Sequence, residues 1–298
     1  MNILVLGATG FVGTELVPAL LEAGHCVRAL SRNPSAAEAN SDTKVEVVKG
    51  NVLEPDTLEG VFDDIDVVYY LIHSLDAGSD FARRDRQAAE TVASLASDAG
   101  VARMIYLGGL GGTGDVLSEH LLSRREVETV LAAGSYELTT LRAAIIIGTD
   151  SASFDLIYQL AAKLPLMITP RWVRTACQPI AIDDVIAYLV GVLEVPQTAG
   201  EVLEIGGPEV LSYEQLLKRT AAQLGGRLII VPVPVLSPQL SVYWVDFVTD
   251  IPADVVHPLI HGLKNPVVVT DDRVRSLVPL ELTPIDEAIA VAVAGRSR

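Results

Sequence analysis

Three glycines, Gly7, Gly10 and Gly13, follow directly on the apolar run Ile3-Leu4-Val5-Leu6. Where a strand hands over to a helix, glycines at this spacing make a cradle for phosphate. The first permits the tight turn, the second removes a side chain where backbone must meet a pyrophosphate, and the third lets the helix pack close to the strand. The unpartnered N–H groups of the helix and its dipole then favour an anion. A glycine trio alone also marks ordinary turns. Here an apolar strand precedes it, an amphipathic stretch runs from Phe11 to Ala23, and a second strand runs from His25 to Leu30, which is the setting of a dinucleotide site.

The end of the second strand discriminates between dinucleotides. An acid there holds the ribose hydroxyls of NAD, whereas an arginine meets the 2′-phosphate of NADP. The chain reads Val27-Arg28-Ala29-Leu30-Ser31-Arg32-Asn33-Pro34, without an acid, so NADP is expected over NAD. Arg32 stands at the clamp position and Arg28 is the second candidate, the alternative being a solvated loop arginine.

Other reactive side chains take plainer readings. Asp183-Asp184 are adjacent, do not share a helix face, and read as helix capping. His257 and His261 have a metal-compatible spacing but no intervening HExxH glutamate and no evident third ligand, so no metal site is expected. Cys26 and Cys177 lie in apolar surroundings and read as buried thiols. Arg171-Trp172-Val173-Arg174 could grip an anionic substrate or a headgroup, or form an exposed loop around a buried tryptophan.

The elements that must position these residues alternate. Val45 to Lys49, Asp66 to Ile72, Arg103 to Leu107 and Leu138 to Leu141 read as short buried strands. Helical stretches lie near Pro55 to Phe62, Phe81 to Ala99 and Ser118 to Ala133. This order predicts an α/β fold, a Rossmann-type doubly wound parallel sheet, with ligands at the carboxyl ends of the strands. After Gly148 the pattern loosens and prolines cluster, which marks a smaller C-terminal substrate lobe. Ile180 to Leu193 reads as a turn and helix, and Val202 to Ile205 as a strand returning to the sheet. The nucleotide-binding domain is therefore expected to comprise residues 1–148 with 178–206, and the lobe residues 149–177 and 207–298. The apolar run from Leu228 to Val248 reads as the core of that lobe or as a docking surface for a membrane complex.

Taken together, Gly7-Ala8-Thr9-Gly10-Phe11-Val12-Gly13, Gly50-Asn51-Val52, Gly100-Val101-Ala102-Arg103-Met104-Ile105-Tyr106-Leu107, Leu141-Arg142 and Pro179-Ile180-Ala181-Ile182-Asp183-Asp184-Val185 resemble the short-chain dehydrogenases/reductases, in their extended and atypical branches. Ser118-Glu119-His120-Leu121-Leu122-Ser123-Arg124 and Pro170-Arg171-Trp172-Val173-Arg174 look like bacterial NAD(P)H-binding proteins grouped with NmrA-like regulators. The nucleotide-binding accessory subunit of respiratory complex I is a more distant likeness. The resemblance implies that the loop, through Gly7, Thr9, Gly10, Phe11, Val12 and Gly13, holds the pyrophosphate and Arg32 the 2′-phosphate. Asn51 and Val52 would meet the adenine, Asn51 replacing the aspartate common there. Ile72 and His73 would line the ribose and nicotinamide side.

The resemblance also implies a catalytic set, from which this chain departs. Reductases of the superfamily use a serine after the fifth strand and a Tyr-x-x-x-Lys pair on the next helix, the lysine easing proton transfer by the phenol. Alignment through Tyr106-Leu107-Gly108-Gly109 puts glycine at the serine position, His120 at the tyrosine position and Arg124 at the lysine position, one helical turn apart. His120 could serve as acid or base, its pKa depressed by Arg124, or the two could line a cofactor groove without chemistry. Two functions follow. One is an NADPH-dependent oxidoreductase of a hydrophobic carbonyl or enoyl substrate, the cofactor supplying hydride. The other is a non-catalytic NAD(P)H-binding redox sensor or accessory subunit of a respiratory-type complex. The oligomeric state is left open.

Composition bounds the partners. The chain has 298 residues, of which 50% are hydrophobic and 5% aromatic, enough for a large core with an appended lobe. No run of 18 uncharged apolar residues occurs, and the first residues already read as a strand, so a cytoplasmic protein without a membrane span or secretory signal is expected. Only five of the 22 basic residues are lysine and the net charge is −16, which excludes the basic footprint of a nucleic-acid binder. An acidic, lysine-poor surface also suggests a halophilic protein, because concentrated salt screens self-repulsion. The melting temperature should accordingly rise from low to molar potassium chloride in thermal melts; a flat or falling trend would make the acidity incidental.

Overall fold

The computed structural model describes residues 1–34, 45–74, 80–111, 117–169, 171–232, 249–250, 262–263 and 265–296. Seven parallel strands form the main sheet, in the order β11-β6-β5-β4-β1-β2-β3. These are β1 (Asn2–Leu6), β2 (Cys26–Ser31), β3 (Val45–Lys49), β4 (Val67–Tyr70), β5 (Arg103–Gly109), β6 (Glu137–Ala143) and β11 (Val202–Ile205). Strand order runs outward from β1 through β2 to β3 and then reverses to β4, so β1 and β4 flank the switch point where a parallel sheet opens a crevice.

The period-two alternation of the strands sorts their side chains between two layers. Ile3, Val5, Ile105 and Leu107 face one side, where helix α1 (Phe11–Glu22) and helix α5 (Ile182–Glu194) pack through Leu16, Leu20, Val185 and Leu189. Leu4, Leu6, Met104 and Tyr106 face the other, covered by α2 (Phe81–Asp98) and α3 (Glu119–Leu131) through Ala88, Val92, Val127 and Leu131. Ser118 caps α3, its side chain accepting from the Leu121 amide, so this helix starts where the sequence predicts.

A third core joins α4 (Ala152–Lys163), α6 (Tyr213–Gln223) and α8 (Ile285–Arg296) through Phe154, Ile157, Leu160, Leu216, Leu217 and Ile289. Short strand pairs frame it. These are β7 (Ile146–Ile147) with β10 (Ile180–Ala181), β9 (Ala176–Cys177) with β12 (Leu211–Ser212), and β8 (Leu166–Thr169) with β13 (Ile229–Pro232). As predicted, Val202–Ile205 returns to the main sheet, pairing in parallel with β6. A short helix α7 (Val274–Leu277) lies beneath it.

Several expectations need correction. The helix expected over Pro55 to Phe62 is a single 3-10 turn, Pro55–Leu58, ended by Gly60 in the left-handed region. Cys26 is exposed rather than buried, because it opens β2 opposite the equally exposed Asn2 at the solvated rim of the sheet. Cys177 is buried, and burial pushes its thiol up to about 12. Asp184 does not cap its own helix. Its carboxylate accepts from the Thr283 amide and hydroxyl at 3.0 and 2.9 Å and ties the segment before α8 to α5. Arg171 to Arg174 form a 3-10 turn with Val173 fully buried. His257, His261 and most of the run from Leu228 to Val248 lie outside the described residues.

At the opposite end of the strands from the crevice, Arg103 is buried without a carboxylate hydrogen-bonded to it. It donates to Thr139 Oγ1 at 2.8 and 3.1 Å and to Thr198 Oγ1 at 2.6 Å. The Thr198 hydroxyl lies 2.7 Å from each of two carbonyls, Val192 and Val195. This knot joins β5, β6 and the end of α5. Thr198→Val keeps the shape and takes one buried acceptor from the guanidinium, so it should lower unfolding free energy by about 1 to 3 kcal/mol in urea titration; an unchanged midpoint would remove the knot from the stabilising interactions.

Candidate functional site

The crevice at the switch point is built by close backbone approach. Gly7 has φ of +92°, and a Cβ on it would stand 3.1 Å from the Leu71 carbonyl group of the chain leaving β4. At Gly13 a Cβ would fall 2.2 Å from the Gly7 carbonyl oxygen, so only glycine lets α1 start there. Gly10, the N-cap of α1, offers no side-chain cap, and the first turn carries no acid. The leading amides of α1 are thus left for an outside acceptor, and the residues fit a nucleotide phosphate.

From this loop a cavity of about 450 Å³ runs along the carboxyl ends of β1, β4 and β5 into the third core. Gly7, Gly10, Phe11, Val12 and Gly13 line its entrance, and Leu156, Ile157, Tyr213, Leu263 and Val267 its far wall. Thr9 is exposed at the crest of the loop and outside the cavity wall, as is Arg32 just beyond β2. Asn51 and Val52 also stand off the wall. The Asn51 amide is engaged in its own turn, accepting from the Leu53 amide at 3.1 Å and donating to Glu54 at 2.8 Å, and Val52 is a core residue. Past β4 the chain continues to alternate, so Leu71 and His73 face the cavity while Ile72 turns into the layer beneath α2. Leu71 therefore takes the place expected of Ile72.

His120 and Arg124 both border the cavity, but they differ in kind. Arg124 is buried, and its guanidinium donates to the carbonyls of Leu107 and Ile72, the latter at 3.2 Å, with its carbon 4.9 Å from the centre of the Tyr106 ring. Tyr106 in turn donates to the Arg124 carbonyl at 3.0 Å. In the Gly108-Gly109 pair, where a serine is expected from the resemblance, a Cβ on Gly108 would meet the Tyr106 ring at 3.0 Å and one on Gly109 the Leu121 side chain at 3.0 Å, which gives both glycines a steric reason. His120 is half-buried, its Nδ1 is closed to solvent without a hydrogen bond, and its ring lies 4.8 Å from that of His73.

The sequence reading missed Asp85. This carboxylate is 1% exposed on α2, with Oδ1 taking the Ser74 amide at 2.9 Å and Oδ2 lying 3.2 Å from His73 Nδ1 and 3.5 Å from the Ser123 hydroxyl. Burial alone would raise its pKa. The hydrogen bond and charge of His73, the Ser74 contact and Arg124 outweigh that and hold it below the ordinary carboxylate range. A signal was available, since Asp85 interrupts the inward apolar stripe Phe81, Ala88, Ala89, Val92, Ala96. No group of metal-binding side chains occurs among the described residues, nor does any helix there suffice to cross a membrane.

Residues 7–151, the stretch that builds the loop, the switch point and the His73–Asp85 contact, match the family described as NAD(P)H-binding. Over this stretch, just under half of its length, the chain is similar to that NAD(P)H-binding family, in keeping with the expected resemblance to short-chain dehydrogenases/reductases. It is 28% identical over 235 residues to a ceramide reductase of Caulobacter vibrioides, covering 77% of this chain and 73% of that protein. It is 27% identical over 221 residues to NADH dehydrogenase [ubiquinone] 1 alpha subcomplex subunit 9 of Arabidopsis thaliana, covering 71% and 55%. Among solved structures, UDP-glucose 4-epimerase from Thermotoga maritima superposes with a TM-score of 0.74 at 16% identity, covering 99% of this chain and 98% of that one. The fold shared with that epimerase thus extends across both layers of the sheet and the lobe.

Burial, then the charges of His73 and Arg124, brings the His120 pKa down to about 3, so this imidazole is neutral at physiological pH. Arg124 acts in the expected direction but behind burial. Because the folded value lies below the ordinary 6.5, the unfolded chain binds the extra proton first, and stability is lost as pH falls from 6.5 toward 3. His120→Gln removes this linkage. Relative to wild type it should gain about 1 to 3 kcal/mol between pH 6.5 and 4, allowing for solvent screening of a half-buried ring. Parallel pH profiles of the two proteins in urea would refute a depressed His120.

Proposed function

We propose that this chain is an NADPH-dependent oxidoreductase acting on a hydrophobic carbonyl or enoyl substrate. The observation that carries the reading is the continuity of the cavity: one end is the phosphate-fitting glycine loop and the other an apolar chamber walled by Leu156, Ile157, Leu263 and Val267. A cofactor laid from the loop along the strand ends would bring its nicotinamide to the side of His73 and His120, where it supplies hydride. The chain's own residues bind and orient. The loop amides hold the pyrophosphate, Arg32 meets the 2′-phosphate, Leu107, Leu110 and the lobe exclude water, and Arg124 fixes the cavity floor. Similarity to a protein named a ceramide reductase fits an apolar substrate.

A second reading, a non-catalytic NAD(P)H-binding subunit, is favoured by glycine, histidine and arginine at the serine, tyrosine and lysine positions and by the likeness to a complex I subunit. Calorimetry and turnover separate the two. Wild type should bind NADPH more tightly than NADH. Arg32→Ala should cost on the order of 1.5 to 3 kcal/mol for NADPH and little for NADH, as for hydrogen bonds to a charged group. Equal losses for both nucleotides, or a preference for NADH, would sink the clamp. A screen of long-chain ketones and enones without any NADPH oxidation would favour the subunit.

A further inference from the structure

We propose that the proton donor of this cavity is His73, oriented and charged by the buried carboxylate of Asp85. The inference rests on the oxidoreductase reading and names the group on which its proton step depends.

Two imidazoles meet at the cavity wall with ring centres 4.8 Å apart, so both cannot readily be cationic, and their surroundings choose between them. His73 faces the Asp85 carboxylate through Nδ1 at 3.2 Å. His120 has no hydrogen-bonded carboxylate and shares its helix with Arg124. Among the described residues, the charged and titratable groups of this corner are Asp85 from α2, His120 and Arg124 from α3, and, coupled to Asp85 and Arg124, the Tyr70 and Tyr106 phenols, which burial keeps protonated. Among these described groups Asp85 is the anion hydrogen-bonded to His73, and it touches His73 rather than His120.

Asp85 is built for this task. It lies on the inward stripe of an 18-residue helix, fully enclosed, and its two oxygens collect the Ser74 amide, His73 Nδ1 and the Ser123 hydroxyl. With Oδ1 fixed by a backbone amide, the carboxylate cannot swing away from the imidazole. Holding the proton on Nδ1 fixes the tautomer and leaves Nε2 as the exchanging nitrogen, the logic by which a carboxylate orients a catalytic histidine. In a carbonyl reduction the substrate carbon accepts hydride from the cofactor and the C–O π pair moves onto oxygen. That oxygen takes the Nε2 proton of His73. The cofactor ends oxidised and the carbonyl ends as an alcohol; His73 Nε2 is closed to solvent in this structure, so giving up its proton and regaining it from solvent both require a small shift of the ring that uncovers it. In these terms His73 is the catalytic residue and Asp85 a positioning residue.

The test is a histidine ring titration by NMR on the full chain, with His73→Gln and His120→Gln assigning the two signals. His73 should titrate well above His120. Asp85→Asn should move the His73 midpoint down by a pH unit or more, and Asp85→Glu should restore part of the shift. Calorimetric binding of NADPH by each variant checks folding, and should Asp85→Asn fail to fold, the order of the two wild-type midpoints and the Asp85→Glu shift decide. A His73 midpoint unmoved in folded Asp85→Asn, or His120 titrating above His73, overturns the proposal. With any carbonyl substrate that wild type reduces, His73→Gln should lower kcat by about 10²- to 10⁴-fold, the range of general acid catalysis, and His120→Gln by less. The reverse order overturns it too. Absence of turnover by wild type defeats the oxidoreductase reading, while the titration still decides the Asp85–His73 pairing.

Discussion

A buried guanidinium joins two strand ends, and the floor of the cavity depends on that junction. Arg124 donates to the carbonyl of Leu107, just past the last pairing of β5 with β4, and to that of Ile72 just beyond β4. These carbonyls sit where the ladder between β4 and β5 has run out, and Arg124 supplies a donor to each in an apolar place. Arginine suits the position because its planar fork reaches two acceptors at once and lies over the Tyr106 ring, whose hydroxyl returns a bond to the Arg124 backbone. A lysine could offer neither the fork nor the stacking. The cation is therefore structural here, and the segment carrying Leu71 and His73 leaves β4 on a path that Arg124 helps to set.

The same cation shapes the electrostatics of the site. Asp85 and Arg124 place one negative and one positive charge in low-dielectric surroundings, with two imidazoles between them. Such charges are tolerable because each is saturated, the carboxylate by an amide, an imidazole and a hydroxyl, and the guanidinium by carbonyls. His120 has no such saturation, and burial leaves it neutral. Two histidines of the same type, touching each other, are thereby given different protonation behaviour by one helix carboxylate and one helix arginine.

Sequence reasoning reads best where the chain's own chemistry is local. The glycine loop, the alternating strands and the returning strand Val202–Ile205 announce themselves through spacing and period, because turn geometry and layer burial leave a mark on neighbouring residues. The partners of a buried polar group leave no such mark. Asp85 lies 11 or 12 residues from Ser74 and His73 and 38 from Ser123, and only the packing of α2 against α3 brings them together. Asp184 was misread for the same reason, since its acceptor oxygens serve Thr283, 99 residues away. Ile72 and His73 show a finer limit. Adjacent residues in extended chain face opposite layers, so assigning both to one cavity could not hold for both.

The chain's path between sheet and lobe constrains how the molecule can come apart. After β6 it enters the lobe through β7 and α4, comes back through β10, α5 and β11, and leaves again for β12, α6 and α8. The two halves are laced by several crossings rather than hung on one hinge. Cutting the chain after β6 would strip α5 from Leu16 and Leu20 and take away Thr198, leaving Arg103 a buried cation without one of its acceptors. Neither half is therefore an autonomous module, and the threading denies rotation of the lobe about a single linker.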